Sequence, residues 1–441
     1  MKNYIIENIS IFTNDENNTF YQNGTLAVSA DKIIGAGGAA EIKARNPGFE
    51  IIDGGGRFCM PGWINTHMHL YSTFARGLAL KKSPGSFKEI LEQLWWKLDK
   101  ALDSEAVYYS AAVPAVTAVK NGVTSIIDHH ASPFAAAGSL DRIQEALQLI
   151  GLRANLCYET SDRDGREKTQ QGLDENERFI KKCAADSSQL FSSSFGLHAA
   201  FTLSDETLSR AKSIADKHGK GFHLHLAEGR DDDAVPEYGV STTRRLAGLG
   251  ILGNKTVAAH AVHISEADMD LIKETGTMVV HNPQSNMNNA VGRADIFRML
   301  QKGITAGLGT DGMSPSIIPD IRTALLVHKH DLQNPSAGWN EIQKMVLQNN
   351  LKIFNNISGQ KTGRLQKGYK ADLILIDYFP PTPIDSSNIF GHILFGIADA
   401  QVDTTIIDGR IVMKNKTIQN LDEAALAEKS REFAAEVWKK F

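Results

Sequence analysis

From Met60 onward, apolar runs of strand length alternate with helix-length segments about eight times, and few folds accommodate that. A strand–helix–strand repeat lays its strands parallel in one sheet, with the helices outside it. The strands are expected near 60–69, 123–130, 152–159, 193–199, 221–227, 256–262, 277–282 and 304–310. Eight such units in roughly 300 residues favour a closed (β/α)8 TIM barrel over an open sheet. The intervening segments carry helix signals: Ser204-Asp205-Glu206 opens one, Ser265-Glu266 opens another, and each closes on glycine.

The two ends of the chain differ in kind. Residues 1–56 and 371–416 read as short strands separated by turn residues, and neither piece closes a core alone. The reading is an α/β chain in which 57–370 form the barrel, 1–56 and 371–416 combine into one small β-sandwich, and 417–441 supply an amphipathic C-terminal helix.

Composition narrows the function classes. With 42% hydrophobic and 22% charged residues in 441, the chain has ample material for a large core. A net charge of -4 argues against nucleic acid or an anionic membrane as the main partner, so a small-molecule substrate is expected. The opening MKNYIIENIS lacks the segments of a secretory signal, and no apolar run approaches the ~18 residues of a membrane span, which makes the cytoplasm the expected location. Cys59, Cys157 and Cys183 are odd in number and form no CxxC, so they read as buried apolar residues rather than disulfides or thiolate ligands. A homo-oligomer stays open, with the C-terminal helix as a candidate contact.

Chemistry concentrates at the strand ends. Strand one ends in His67 and His69, strand two in Asp128, His129 and His130, strand three in Glu159 and strand four in His198. Strand five offers His223, His225 and Glu228, strand six His260 and His263, strand seven His281 and Asn282, and strand eight Asp311. Strand ends at one mouth are where a barrel gathers catalytic groups. His67 and His69 share a side of their strand because side chains alternate. A His-x-His pair, a strand-five histidine and the strand-eight aspartate make a zinc set that leaves a position for water, whose proton is then lost near neutral pH to give a hydroxide nucleophile. His225 lies nearer the mouth than His223, so His225 is the expected ligand and His223 a structural histidine.

Other residues receive plainer readings. Glu159 reads as structural or as a rim group, and His263 as structural. Of His129 and His130, at most one faces the mouth. His281 and Asn286 sit in a turn that could line a pocket. Trp95 and Trp96 look first like the buried stripe of a helix, and Asp231-Asp232-Asp233 like a solvated loop. Phe74, Phe201 and Met313 are candidate ring contacts.

MPGWINTHMH, HLHLAE, AAHAVHI, HNPQSN and GLGTDG, in that order, with the terminal GYKADLILID, resemble the amidohydrolase superfamily over essentially the whole chain. The similarity is to its aminohydrolase branch of cytosine, guanine and S-adenosylhomocysteine deaminases and triazine hydrolases. LWWKLDKALD, IIDHHASP and SNMNN add a closer likeness to SsnA-type aminohydrolases and, less so, to 8-oxoguanine deaminases. The resemblance implies metal ligation by His67, His69, His225 and Asp311, proton shuttling by Glu228, a role for His260 beside the attacking water, and substrate contact by His198. It implies one divalent metal, zinc above all, since no lysine stands ready to bridge two. The sequence departs from the branch after GTDG, at Met313-Ser314-Pro315-Ser316-Ile317, and at Val116-Thr117-Ala118, where relatives often carry a glutamate; both changes bear on the substrate.

The expected function is a metal-dependent aminohydrolase that releases ammonia from an amino-substituted N-heterocycle, with Glu228, His260 and Asp311 as catalytic groups. The alternatives are a cyclic amide hydrolase of the same superfamily and a non-catalytic barrel homologue.

Overall fold

The computed structural model describes residues 3–233 and 239–441. The chain begins with strands β1 (Asn3–Phe12), β2 (Phe20–Ser29), β3 (Lys32–Gly37), β4 (Glu50–Asp53) and β5 (Phe58–Pro61). The alternating region follows as β6 (Trp63–Met68), β7 (Val123–His130), β8 (Arg153–Tyr158), β9 (Phe191–Ser193), β10 (Phe195–Ala199), β11 (Phe222–Leu226), β12 (Val257–His260), β13 (Met278–His281) and β14 (Ala306–Leu308). It closes with β15 (Leu373–Ile376), β16 (Val402–Ile407), β17 (Arg410–Lys414), β18 (Thr417–Ile418) and the helix Glu423–Trp438.

The strands from β6 to β14 pair in parallel as two sheets, β6-β7-β8-β9 and β10-β11-β12-β13-β14. β9 and β10 flank Ser194 as two halves of the expected fourth strand. Backbone bonds join the sheets at both seams. On one side, Thr160 N–H donates to the Gly196 carbonyl at 3.2 Å and His198 N–H to the Thr160 carbonyl at 3.0 Å. On the other, Thr310 N–H donates to the His67 carbonyl at 2.9 Å and His69 N–H to that of Asp311 at 3.2 Å. Side chains reinforce this second seam: Asn65 Nδ2 donates to Thr310 Oγ1 at 2.7 Å, and Thr66 Oγ1 to the Leu308 carbonyl at 2.9 Å. The strands approach so closely that a Cβ on Gly309 would stand 2.8 Å from the His67 carbonyl oxygen.

The helices between strands begin where their caps allow. Ser204 accepts from the Thr207 amide to start Asp205–Lys217, and Ser265 forms a capping box with Asp268 to start Glu266–Thr275, which ends on left-handed Gly276.

Phe58–Pro61, assigned to the barrel by the expected boundary at 57 and with Met60 and Pro61 at the start of its expected first strand, belongs elsewhere. β5 pairs with β1 and with β15, so it links the strands of both chain ends into one nine-stranded sheet. The expected two-layer sandwich is hydrogen-bonded edge to edge instead. The sheet curls until Ile33 N–H reaches the Tyr369 carbonyl and Ala371 N–H that of Asp31. Inside the curl Tyr4, Ile6, Ile11, Val28, Leu373 and Ile406 pack together. The chain passes from this sheet to β6 at Gly62, where a Cβ would stand 2.1 Å from Thr124 Cγ2. The C-terminal segment also differs: Thr417–Ile418 pairs with β17, and the helix starts at Glu423.

Candidate active site

The carboxyl ends of β6, β11 and β14 converge. His69 Nε2 stands 3.2 Å from His225 Nε2 and 3.0 Å from Asp311 Oδ1, while His67 Nε2 stands 3.4 Å from the same oxygen. Zinc–nitrogen bonds of about 2.0 Å would set tetrahedral donors about 3.3 Å apart, so the spacing suits one small cation. His67 Nε2 is buried and makes no hydrogen bond of its own, an atom that only a ligand would satisfy. Burial holds His67 down to about 4 and His225 well below its ordinary value, so both imidazoles are neutral, as metal ligation requires. At His69 burial also lowers, but hydrogen bonds to Asp311 and Glu159 outweigh it and hold the ring well above its ordinary value. A place that draws a proton so strongly draws a cation too.

The remote nitrogens of these rings are anchored. His69 Nδ1 donates to the His129 carbonyl at 2.6 Å and lies 3.2 Å from Glu159 Oε1. With Nε2 facing the cluster, His67 Nδ1–H donates to His223 Nε2 at 2.8 Å. His223 Nδ1 in turn meets Cys157 Sγ at 3.6 Å, and that thiol donates to the Asp128 carbonyl at 3.6 Å. His223 therefore does more than fill space: it sets which nitrogen of His67 is free. His129 stacks on His223 with ring centroids 4.4 Å apart, whereas His130 turns away to Ser132 at 2.9 Å.

Beside the cluster stand the acid–base groups. Asn289 Nδ2 donates to Glu228 Oε1 at 3.2 Å, and Glu228 Oε2 lies 3.5 Å from His260 Nε2. Burial raises the Glu228 carboxyl above its ordinary value, with His260 opposing and Asp311 reinforcing. His260 Nδ1 donates to Asn286 Oδ1 at 2.8 Å, which aims Nε2 at Glu228 and, 4.0 Å away, at Asp311 Oδ2. Ser285 donates its hydroxyl to that same Asp311 oxygen. Burial alone would raise Asp311, but the His67 and His69 imidazoles that face it reverse this and keep the carboxylate well below the usual range. The backbone bends to deliver these groups: Ala227, His260, Ala261 and Asp311 have φ of 46, 75, 50 and 53° in the left-handed region, strain of the kind stored at functional sites.

All this opens into a cavity lined by His69, His198, His225, Glu228 and Asp311 together with Tyr71, Phe87, Trp95, Trp96 and Phe201. His198 Nδ1 donates to Thr202 Oγ1 at 2.9 Å, since that hydroxyl is itself spent on the Ala199 carbonyl at 2.8 Å, and this leaves Nε2 for the cavity. Trp95 and Trp96 are cavity walls rather than only a buried stripe, and Glu159 is a cavity group in reach of His69, His129 and His198 rather than a rim residue. Asp232 is buried in the wall, accepting from the Ala227 amide at 2.6 Å, rather than solvated; the side chains of Asp231 and Asp233 lie outside the described residues. Asn286 holds His260 instead of lining the pocket. Phe74 is buried beneath the C-terminal helix, its carbonyl taking the Trp438 indole N–H at 2.7 Å, while Phe201 and Met313 do line the cavity. Sequence reasoning missed Asp99, a carboxylate on the cavity wall; its signal, an acid on the inward face of the LWWKLD turn, was masked by the apolar stripe around it.

The amidohydrolase family model matches residues 58–412. A 5'-deoxyadenosine deaminase of Methanosarcina mazei is 31% identical over 444 residues, covering 99% of both chains. A 5-methylthioadenosine/S-adenosylhomocysteine deaminase of Pelotomaculum thermopropionicum is 28% identical over 96% of each. Among solved structures, a zinc-bound adenosine deaminase from Xanthomonas campestris superposes with a TM-score of 0.87 at 22% identity, over 99% of this chain and 98% of that one.

Proposed function

Because the chain belongs to the amidohydrolase family, we propose that it is a metal-dependent aminohydrolase that releases ammonia from an amino-substituted, purine-like N-heterocycle. In this reading the eight parallel strands are a closed (β/α)8 barrel on which the terminal sheet sits as a composite domain. The observation that carries it is the convergence of three imidazole nitrogens and Asp311 Oδ1 at one wall of a cavity whose next groups are Glu228 and His260. His67, His69, His225 and Asp311 would hold the metal, and a bound zinc supplies an activated water and charge stabilisation.

The chain's own residues do the rest. Glu228 takes one proton of the attacking water and delivers it to the ring nitrogen beside the amine-bearing carbon, making that carbon electrophilic toward the water's oxygen. A C–O bond forms there. His260, its Nδ1–H held by Asn286, stabilises negative charge on the entering oxygen when Nε2 also carries a proton and donates it. Asp311 Oδ2, steadied by Ser285, passes the second proton to the amine; the C–N bond breaks, ammonia leaves, and the ring keeps a carbonyl. His198 Nε2 accepts a hydrogen bond from the substrate. Raised by burial, Glu228 suits a group that must both take and give a proton.

No described helix is long and apolar enough to cross a membrane. A cytoplasmic location belongs to this reading and agrees with three free cysteines.

The test is ammonium release by zinc-loaded protein from aminopurines, aminopyrimidines, pterins and aminotriazines. Activity on one ring class, abolished in Asp311→Ala and lowered about 10²–10⁴-fold in Glu228→Gln with metal retained in the latter, is expected. Wild-type turnover by metal-loaded Glu228→Gln would defeat the assignment.

A further inference from the structure

One short stretch of the protein reaches all three acid–base groups of the proposed reaction. The helix Pro283–Asn288 and its C-cap Asn289 bring Ser285 to Asp311, Asn286 to His260 and Asn289 to Glu228. Two of these contacts are joined to each other. Asn289 Nδ2 donates to Ser285 Oγ at 3.3 Å as well as to Glu228 Oε1 at 3.2 Å, so a continuous bridge runs from Glu228 through Asn289 and Ser285 to Asp311 Oδ2. Ser285 and Asn289 both line the cavity beside the carboxylates they bond. Valence fixes the direction of each link. An amide nitrogen can only donate, and Asn288 Nδ2 donates to Asn289 Oδ1 at 3.2 Å, which keeps the oxygen of that amide turned from Glu228. Ser285 Oγ, accepting from Asn289, gives its one hydrogen to Asp311.

Resting on the aminohydrolase reading, we propose that Ser285 and Asn289 are positioning residues that tie Glu228 and Asp311, the two carboxylates through which protons pass, into one hydrogen-bonded unit. The bridge decides which oxygen of Glu228 works. Oε1 is held as an acceptor, so the proton that Glu228 carries rides on Oε2, the oxygen 3.5 Å from His260 Nε2. A free carboxyl protonates on either oxygen and must rotate when the wrong one is loaded. Holding one oxygen removes that search, and groups fixed in the geometry of transfer react faster. Asp311 is oriented in the same way, with Oδ2 on Ser285 while Oδ1 faces His67 and His69. Asn289 spends both amide hydrogens and Ser285 its only one, so losing either link loosens the next. A change at Asn289 thus reaches Asp311 through Ser285, and with it the metal-facing oxygen.

The bridge is tested first without turnover, by zinc affinity in chelator competition. Ser285→Ala removes an outer partner of Asp311 and should weaken binding about tenfold or more. Asn289→Leu should weaken it about threefold or more by way of Ser285, and the double variant should bind zinc no more weakly than Ser285→Ala alone. Unchanged affinity in Asn289→Leu, or losses that simply add, overturns the bridge. Non-additive losses support it even if no compound releases ammonia and the deaminase reading fails. Asn289→Ala, a smaller cut, takes the place of the leucine variant in the same cycle if circular dichroism shows the latter unfolded. Where ammonia is released, zinc-loaded Asn289→Leu should lose about tenfold or more in kcat with KM kept within about twofold. Ser285→Thr, which keeps the hydroxyl, should stay within about threefold of wild type in zinc affinity and kcat. A loss confined to KM, or Ser285→Thr as impaired as Ser285→Ala, overturns the positioning role and leaves the deaminase reading intact.

Discussion

His223 shows how much a single side chain can hide. On its strand it shares a face with His225, and the nearer-to-mouth argument assigned it a structural role. Three dimensions give it a partner that strand periodicity cannot supply: His67 from β6, 2.8 Å away. Replacing His223 with Leu should weaken metal affinity about 10–100-fold, the usual cost of losing a ligand's outer partner, measured by chelator competition; an unchanged affinity would return His223 to packing alone. Glu159 and Asp99 escaped for a related reason, since an acid's neighbours decide whether it is rim or site. Asp320 tests burial in a different way. It accepts from the Gln284 amide at 3.2 Å, and burial raises its carboxyl to about 8. A folded-state value raised above the unfolded one means the folded protein binds the extra proton, so this contribution to stability is present below about pH 4 and is lost as pH rises toward 8. Asp320→Asn should therefore raise Tm more at pH 8 than at pH 5, by thermal denaturation at both; an equal shift would show that the carboxyl is not protonated in the fold.

At the scale of elements, periodicity and caps located the strands from Val123 to Leu308 within a few residues, because each is a short apolar run flanked by helix signals. It misplaced Phe58–Pro61, whose four residues are all buried and therefore look like the run that follows them. The split at Gly62 is a matter of which neighbours pair, not of local preference. The C-terminal helix was legible as amphipathic but its partner was not. It lies on the helix Ser104–Lys120: Phe433 stacks on Tyr109 with centroids 4.8 Å apart, and Lys120 pairs with Glu423 at 2.6 Å. The apolar face offered to a second subunit by the sequence reading is thus used within the chain. A double-mutant cycle on Tyr109→Ala and Phe433→Ala should give a coupling of about 0.5–1.5 kcal/mol in urea denaturation; a coupling of zero would mean the helix is not docked there in solution.

At the scale of the molecule, the terminal sheet and the parallel strands meet through charge. Arg153, at the start of β8 and fully buried, donates to Asp372 at 2.8 and 3.2 Å and to Asp408 at 2.8 Å, and Lys370 reaches Asp408 at 3.0 Å. Arg153→Met takes the cation from buried Asp372 and leaves Asp408 to Lys370 alone, and should cost about 3–5 kcal/mol, seen as a lower urea midpoint; a change under 1 kcal/mol would show that the network is solvated. None of this joint is written locally, for its members come from segments more than two hundred residues apart. Residue order alone dictates the alternation of strands and helices, and with it that His67, His69, His198, His225, Glu228, His260 and Asp311 stand at the same ends of their strands, because side-chain period and chain direction are local properties. Folding in three dimensions settles which nitrogen of each imidazole faces inward, that Glu159, Asp99 and the two tryptophans share the cavity, and that one curled sheet joins the chain ends, because hydrogen-bond partners, burial and the shape of a cavity are set by residues that the chain itself keeps far apart.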